Sequence, residues 1–349
     1  MSVRVRFAPS PTGSLHLGNA LTAVANRRFA DEHGGVLVLR IDDTDASRTV
    51  PGGEEAIIGE LAWLGVGVDE GLVRQSERGA VYAAAAEQAL ANGGAERDND
   101  GSVRVAGEGT TLLRPDGSAT YQLASVVDDL VLEITHVIRG SDHRPNLLVQ
   151  QRISRALGSE LPEVIHHGLV LGADGKKLSK RHGHSSIAEL REDGFPASAV
   201  RAYLDELDLP EHDVQLDLAR LRRLAVDAIA AMPDEELAAA AEAPVEVVPA
   251  LRGARSLLEA REYARLVVAP EPFALDVEAR PTLARFAELR RAAPEQLSLD
   301  ESKAIVRELK AVGGDLRTLR LALTGAERGP ELGAVLVALS RDEALERTA

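Results

Sequence analysis

The first 45 residues place a strand, a turn and a helix in immediate succession, and this constrains the fold more than any other part of the sequence. Val3, Val5 and Phe7 alternate with arginines, as in a short strand. The strand runs into residues 9–13 (PSPTG), and a helical pattern follows from about residue 19 to residue 33. A helix that begins directly after such a turn presents several backbone N–H groups to an anion.

His16 and Gly18 lie where this helix opens. A histidine there can donate a hydrogen bond to a phosphate, and a glycine lets a flat nucleotide approach the backbone. An isolated His-x-Gly pair, however, is more typical of an ordinary strand–helix corner with a surface histidine. The interpretation therefore depends on what the rest of the chain contains.

The first half of the chain alternates strands and helices, which predicts an α/β, Rossmann-like parallel sheet. Residues 36–41 form a continuous apolar run, typical of a strand buried on both faces. Asp42 and Asp43 follow at the strand's carboxyl end, where open α/β sheets bind ligands. Further strands are predicted at residues 133–138 and 164–171.

From residue 186 onward helical periodicity dominates, and we predict an all-α C-terminal region. A chain of 349 residues is expected to form two or three domains. The best internal boundary in the helical half is the proline-flanked segment 244–249. We therefore expect a catalytic domain over 1–185, a helical stem-contact region over 186–243 and a helical domain over 244–349.

The composition limits the class of protein. A net charge of −15 argues against a non-specific nucleic-acid coat, although an RNA enzyme needs only a local basic face. The chain has five lysines, and Lys176, Lys177 and Lys180 fall within five residues. Absence of cysteine excludes disulfides and thiolate zinc sites. Because we find no membrane-length apolar run and no signal peptide, we expect a cytoplasmic protein without a membrane partner.

Four separated stretches together resemble one known active site. In order along the chain they are RFAPSPTG with HLGN (residues 6–13 and 16–19), RIDDTD (40–45), VIRGSDH (137–143) and GKKLSKRHG (175–183). This series resembles the glutamyl-tRNA synthetases, class I aminoacyl-tRNA ligases with a Rossmann catalytic domain. HLGN is similar to the HIGH element of that class, and KLSKR to its KMSKS loop. The similarity covers residues 3–91 and 111 to about 207, and resumes at residues 320–332, near the end of the family's anticodon-binding region.

The resemblance implies a two-step reaction with ATP and Mg²⁺ and without zinc. An amino-acid carboxylate attacks the α-phosphate of ATP, giving an aminoacyl-adenylate and pyrophosphate, and a hydroxyl of the terminal tRNA adenosine then takes the acyl group. Catalysis in the first step consists of aligning two anions and stabilising phosphoryl charge. The implied catalytic residues are His16, Lys177 and Lys180. The implied ATP-binding residues are Pro9, Thr12, Gly13, His16, Gly18, Asn19, Leu178, Ser179 and Lys180.

The resemblance also implies an amino-acid pocket, formed by Arg6, Ser10, Asp42, Tyr121, Ser125 and Arg139. Two arginines suit a substrate with two carboxylates, because each guanidinium can bind one of them through two hydrogen bonds. Two positions depart from the family pattern, since Asp42 stands where the family has Glu and Ser125 where it has Asn. A shorter carboxylate moves a bound amino group by roughly an ångström. Glutamate remains the expected substrate.

Residues 92–118 are predicted to form only a short hairpin and loops. In the family an insertion between the halves of the sheet grips the tRNA acceptor stem, so this chain has a reduced version of it. The implied partners are tRNA, specifically the glutamate tRNA, and glutamate itself. The family precedent is a monomer.

Three other functions remain to be weighed. An adenylate-forming paralogue would transfer glutamate or a related amino acid to a modified tRNA base or to a non-tRNA molecule. A catalytically silent RNA-binding protein has no need for the intact set of His16, Gly18, Lys177 and Lys180. An unrelated nucleotidylyltransferase would not carry the KLSKR loop, which by itself would be interpreted as a solvated basic loop.

Replacing Lys180 with alanine tests the role of that loop. We expect the Lys180→Ala variant to form adenylate at least about a hundredfold more slowly, because it loses a charge contact made in the transition state. ATP–pyrophosphate exchange measures this rate. Unchanged turnover would refute the assignment of the loop.

Overall fold

The computed structural model describes residues 2–45, 47–176, 178, 184–271 and 280–349. The chain forms two compact units. One comprises Met1–Leu190 and Arg201–Asp217, and the other comprises Arg191–Val200 and Leu218–Ala349. Within the ranges that the structure describes, no helix combines the length and apolarity needed to cross a membrane.

The first unit begins with three parallel strands in the order β1-β2-β3. The elements are β1 (Arg4–Phe7), α1 (Leu17–Glu32), β2 (Val36–Ile41), α2 (Gly53–Trp63) and β3 (Glu70–Arg74). Val5 of β1 pairs with Leu37 of β2, and both side chains are fully buried. The apolar run predicted as a strand is thus β2, which lies at the centre of this sheet.

A small antiparallel sheet follows, packed between two helices. Its elements are α3 (Gly79–Ala91), β4 (Ala95–Arg97), β5 (Val103–Val105), β6 (Thr111–Leu113) and α4 (Tyr121–Val131). Val103, Leu112 and Leu123 are fully buried in a common apolar cluster. The sequence predicted a hairpin here, and the structure adds β4 as a third strand.

The second half of the parallel sheet lies beside β1. It consists of β7 (His136–Gly140), α5 (Arg144–Ala156) and β8 (Glu163–His167), with β7 and β8 parallel. The Thr135 N–H, just before β7, donates to the Arg4 carbonyl at 2.9 Å, and the Arg4 N–H donates to the Thr135 hydroxyl at 2.9 Å. These bonds place the carboxyl ends of β1 and β7 side by side.

A short parallel pair and two helices complete the elements before residue 218. They are β9 (Val170–Leu171), α6 (Ile187–Glu192), α7 (Ala197–Leu207) and β10 (Val214–Gln215). Gly168 lies close to the backbone of His212, and a Cβ at Gly168 would be only 2.0 Å from the His212 carbonyl oxygen.

Helices alone form the described part of the chain from residue 218 onward, apart from turns. They are α8 (Leu218–Ala231), α9 (Asp234–Ala240), α10 (Val248–Leu251), α11 (Leu257–Val268), α12 (Arg280–Ala292), α13 (Leu299–Ala311), α14 (Leu316–Thr324), α15 (Leu332–Ala338) and α16 (Arg341–Glu346). Leu251, Phe286 and Leu319 are fully buried in one core. Ser298 precedes α13 and forms a capping box with Glu301.

The predicted fold class, an α/β Rossmann-like sheet followed by an all-α region, is confirmed. Three short strands were missed. β3 contains Gly71 and has two exposed residues at its start, so it lacks the apolar pattern of β2. β4 has three residues and β10 only two. The predicted domain boundaries at residues 185 and 243 stay predictions.

Gly94 provides a test of packing between the small sheet and α5. A Cβ at Gly94 would lie 2.2 Å from the backbone oxygen of Ala156. We expect Gly94→Ala to lower the free energy of unfolding by about 1–3 kcal/mol, because the backbone must shift to accept the methyl group. Urea or thermal unfolding measures the change.

Gly79→Ala is the matched control. Gly79 has helical dihedral angles, and a Cβ there would meet no atom within 4 Å. This variant should be as stable as the wild type or more stable, by up to about 1 kcal/mol. Equal stability of both variants would contradict the packing argument.

Candidate active site

A cavity of about 690 Å³ opens in the first unit, at the carboxyl ends of β1, β2 and β7. Residues 6–12, at the end of β1 and beyond it, line the cavity together with the start of α1. Most of residues 42–49, which follow β2, and most of residues 139–143, at the end of β7, also line it. Open parallel sheets bind ligands at this edge, because the loops that follow the strands converge there. The sheet therefore brings together three of the four stretches singled out in the sequence.

The nucleotide side of this cavity is formed by the turn before α1. Pro9, Thr12, His16, Gly18 and Asn19 all line it, as predicted for ATP-binding residues. Gly13 does not line the cavity. Its φ is 115°, a value that favours glycine, so it contributes to the shape of the turn.

His16 precedes the first turn of α1, and its backbone is extended there. The Nδ1 atom of His16 is buried and has no hydrogen-bond partner in the described part of the chain. At Gly18 a Cβ would meet no protein atom within 4 Å, so no packing contact requires a glycine there. A free donor or acceptor and an open backbone at a helix N-terminus fit a bound phosphate and nucleotide.

Residues that follow the lysine-rich stretch are hydrogen-bonded beside His16. Leu178 is buried and lines the cavity, whereas Lys177, Ser179 and Lys180 lie outside the described residues. Where the chain is again described, the Leu17 N–H donates to the Ser185 carbonyl at 3.0 Å. The Ile187 N–H donates to the Leu15 carbonyl at 2.9 Å. The turn that carries His16 is therefore hydrogen-bonded to residues 185–187.

Five of the six predicted amino-acid-binding residues also line this cavity. They are Arg6, Ser10, Asp42, Tyr121 and Arg139. Ser125 is buried in α4 and is not a lining residue, and its hydroxyl has no hydrogen-bond partner among the described residues.

Arg139, at the end of β7, is only 6% exposed. Its Nε donates to the Nε2 atom of His166 at 3.2 Å, and its buried Nη2 has no partner in the described part of the protein. Burial, and next the positive charge of Arg6, lower the pKa of Arg139. The guanidinium stays charged at neutral pH because its ordinary pKa is so high. This part of the cavity therefore has an unsatisfied cationic donor.

Arg6 and Asp42 are the other charged groups of the pocket. Arg6 Nε donates to Asp129 at 3.2 Å. Both oxygens of Asp42 accept from Arg40, at 2.7 and 3.3 Å. Burial raises the pKa of the Asp42 carboxyl, and Arg40 counteracts this by favouring the ionised form. Asp42 is thus held by a neighbour rather than free to move.

Several lining residues were not predicted. They include Thr22, Arg48, Thr49, Arg114, Asp142, His143 and His167. His167 ends β8, whereas the predicted strand continued to residue 171, so the sequence did not indicate that His167 lies at the carboxyl end of a strand. Its Nδ1–H donates to the Gly168 carbonyl, so the neutral ring accepts at Nε2 from the Thr22 hydroxyl at 2.9 Å. Burial lowers the pKa of His167 and favours this neutral form.

The part of the chain that the structure describes has no metal-binding site formed by protein side chains alone. Nowhere among those residues do three His, Asp or Glu side chains group in an arrangement that would hold a metal ion.

Comparison with known proteins gives the family. The family described as class I tRNA synthetases (E and Q), catalytic domain, matches residues 2–105 and 100–217. A glutamate–tRNA ligase of Rubrobacter xylanophilus is 37% identical, covering 99% of this chain and 97% of its own. One of Acidiphilium cryptum is 34% identical, covering 99% and 98%. The chain belongs to the glutamyl-tRNA synthetase family.

This member of the glutamyl-tRNA synthetase family is shorter than those relatives. The alignment with the Rubrobacter protein spans 421 positions, so at least 72 of them have no counterpart in the 349 residues here. The two matches to the family's catalytic domain meet at residues 100–105, within the small β4–β6 sheet. That junction lies in the segment predicted to be a reduced insertion.

Solved structures share the fold. A crystal structure of a glutamate tRNA ligase from Elizabethkingia meningosepticum, in complex with its amino acid, matches with a TM-score of 0.78 and 22% identity, covering 100% of this chain and 98% of that one. A glutamate-tRNA synthetase from Elizabethkingia anophelis matches with a TM-score of 0.76 and 22% identity, covering 100% and 99%.

The contact between Arg139 and His166 predicts a pH dependence of stability. Burial, and next the charge of Arg139, lower the pKa of His166 to about 4. Between that value and the ordinary pKa of about 6.5 the unfolded chain binds more protons at this position, so stability falls as the pH falls through this range. We expect His166→Gln, which keeps an acceptor but cannot be protonated, to lose less Tm than wild type between pH 7 and pH 5.

Thermal unfolding at the two pH values measures this difference. His33→Gln, at an exposed histidine, is the matched control and should keep the wild-type slope. A slope for His166→Gln as steep as that of the wild type would contradict a neutral imidazole beside Arg139.

Proposed function

We propose that the protein ligates glutamate to tRNA in an ATP-dependent reaction with a glutamyl-adenylate intermediate. The observation that carries the proposal is the buried, unpartnered Nη2 of Arg139, which lies in the same cavity as Arg6 and the N-terminus of α1. A buried guanidinium N–H group without a hydrogen-bond partner favours an anionic ligand. A helix N-terminus a short way along the same cavity favours a second anion.

The amino-acid side suits a dicarboxylate. Arg6 and Arg139 both line the cavity, and the charge of Arg6 lowers the pKa of Arg139, so the two guanidinium groups repel each other. A substrate carboxylate between or beside them relieves this repulsion and accepts hydrogen bonds from each fork. Asp42, on the same cavity, is placed to accept from the ammonium group of an amino acid.

The nucleotide side suits ATP. We assign the α1 N-terminus and His16 to the phosphates, Gly18 to the space needed by adenine, and Lys177 and Lys180 to the departing pyrophosphate. Anchoring of Leu178 and Ser185 beside His16 supports that assignment of the lysines. Mg²⁺, when bound with the nucleotide, would neutralise part of the phosphate charge.

The residues of this chain then act by position and charge. The substrate carboxylate oxygen forms a bond to the α-phosphorus as the bond to pyrophosphate breaks. His16 and the helix dipole stabilise the charge that develops on the phosphoryl oxygens. In the second step a hydroxyl of the terminal tRNA adenosine attacks the carbonyl carbon, loses its proton, and displaces AMP. The acceptor end of tRNA would reach the cavity past the small β4–β6 sheet.

The proposed partners are glutamate and tRNA, specifically the glutamate tRNA, with the chain acting as a cytoplasmic monomer. Relatives named glutamate–tRNA ligase that align along almost their whole length support tRNA as the acceptor. No contact among the described residues favours a modified base or a non-tRNA acceptor.

ATP–pyrophosphate exchange with each amino acid, with and without tRNA, tests the proposed function. We expect exchange with glutamate alone, dependent on tRNA, together with transfer of labelled glutamate to tRNA. Exchange without tRNA and no charging of tRNA would support the paralogue with another acceptor. No exchange under either condition would contradict an adenylate-forming enzyme.

Arg139→Gln tests recognition of the carboxylate. We expect the KM for glutamate to rise roughly a hundredfold, because a buried charge contact is lost, while the KM for ATP changes much less. Arg97→Gln, at an exposed ion pair with Glu87, is the control and should leave both constants unchanged. Equal rises in the KM for glutamate and for ATP would contradict the assignment of Arg139.

A further inference from the structure

We infer that Arg40 and Asp129 are positioning residues: together they form a buried bridge that fixes Arg6 and Asp42 relative to each other for amino-acid recognition. The inference rests on the proposed function, in which Arg6 and Asp42 contact the substrate. It adds two residues that do not line the cavity and to which the sequence analysis gave no role in the site.

Four charged side chains alternate in sign along this bridge. Asp129 Oδ1 accepts from Arg6 Nε at 3.2 Å and from Arg40 Nη1 at 2.8 Å. Arg40 then donates from Nε and Nη2 to the two oxygens of Asp42. Oδ1 of Asp129 therefore links Arg6 to Arg40, the arginine that binds Asp42.

The middle of the bridge is excluded from solvent. Arg40 is 1% exposed, and Arg6, Asp42 and Asp129 are each buried as well; of the four, only Arg6 and Asp42 line the cavity. Burial alone would lower the pKa of Arg40, but the carboxylates around it, Asp42 first, raise its pKa well above the ordinary value. Arg40 at the centre of the bridge therefore keeps its positive charge.

A second carboxylate holds the bridge from behind. Asp128 is fully buried, and its Oδ2 lies 3.9 Å from Arg40 Nε. It accepts hydrogen bonds from Gln75 at 3.0 Å, from Arg78 at 2.7 Å and from Tyr82 at 2.8 Å. Asp128 and Asp129 both belong to α4, so the bridge is fixed to a helix.

Geometry, rather than stability, is what such a network provides. Removing four charges from water costs most of what their mutual attraction gains, and apolar side chains of similar volume would stabilise the fold at least as well. A planar guanidinium that binds two carboxylates, however, sets their separation and orientation closely. Asp42 has one methylene and both its oxygens bound, so its position in the pocket is set by Arg40.

Asp129→Asn tests the bridge. The side chain keeps its shape but loses its charge, so its grip on Arg6 and Arg40 weakens. We expect the KM for glutamate to rise about tenfold to thirtyfold, with the KM for ATP within twofold of wild type. Asp69→Asn, which weakens an ion pair to Arg27 away from the cavity, is the control and should leave both constants unchanged.

A double-mutant cycle with Arg6→Lys distinguishes positioning from general destabilisation. If Asp129 acts through Arg6, adding Asp129→Asn to the Arg6→Lys variant should raise the KM for glutamate less than threefold above that of Arg6→Lys alone. Fully multiplicative effects would overturn the inference. Asp129→Glu covers the case in which the asparagine variant does not fold, because it keeps the charge but displaces Arg6; it too should raise the KM for glutamate about tenfold.

The wild-type enzyme separates the two possible failures. If it shows no glutamate-dependent exchange, the proposed function fails and the bridge fails with it. If the wild type exchanges normally with glutamate, and the folded Asp129→Asn or Asp129→Glu variant has an unchanged KM for glutamate, only the bridge is overturned.

Discussion

The site depends on a pair of backbone hydrogen bonds between residues that are about 170 positions apart in the chain. Leu17 donates to Ser185, and Ile187 donates to Leu15. They join the turn that carries His16 to the segment that leaves the lysine-rich loop. Without this connection the helix N-terminus would be an isolated anion site. With it, Leu178 of the lysine-rich stretch lines the same cavity as His16, and the loops after β1, β2 and β7 form the remaining wall.

Charge is distributed unevenly over that cavity, and this supports two different proposed roles for its two sides. On the proposed amino-acid side Arg139, whose Nη2 has no partner among the described residues, lies close enough to Arg6 for their charges to repel. On the proposed nucleotide side the positive end is a helix terminus beside a histidine nitrogen that has no partner there. Behind both, the ion pairs of Arg40 with Asp42 and Asp129 are buried and complete. The overall charge of −15 therefore does not describe the surface that a substrate anion meets.

The sequence predicted those parts whose signal is local. The apolar run of residues 36–41 became β2, and the carboxylate after it, Asp42, reached the cavity. β3 was missed because its exposed, glycine-containing residues lack that pattern. The bridge through Asp129 was missed for another reason, since it joins β1, β2 and α4, which are distant in the chain. No local pattern shows which of two adjacent aspartates faces an arginine from another element.

A crystal structure of the enzyme with a non-hydrolysable analogue of glutamyl-adenylate tests the account most directly. The account predicts a carboxylate oxygen of the analogue within hydrogen-bond distance of Arg139 Nη2, and its phosphate beside His16 at the N-terminus of α1. An analogue bound elsewhere, or bound with its phosphate against Arg139 and its side chain beside His16, would contradict it.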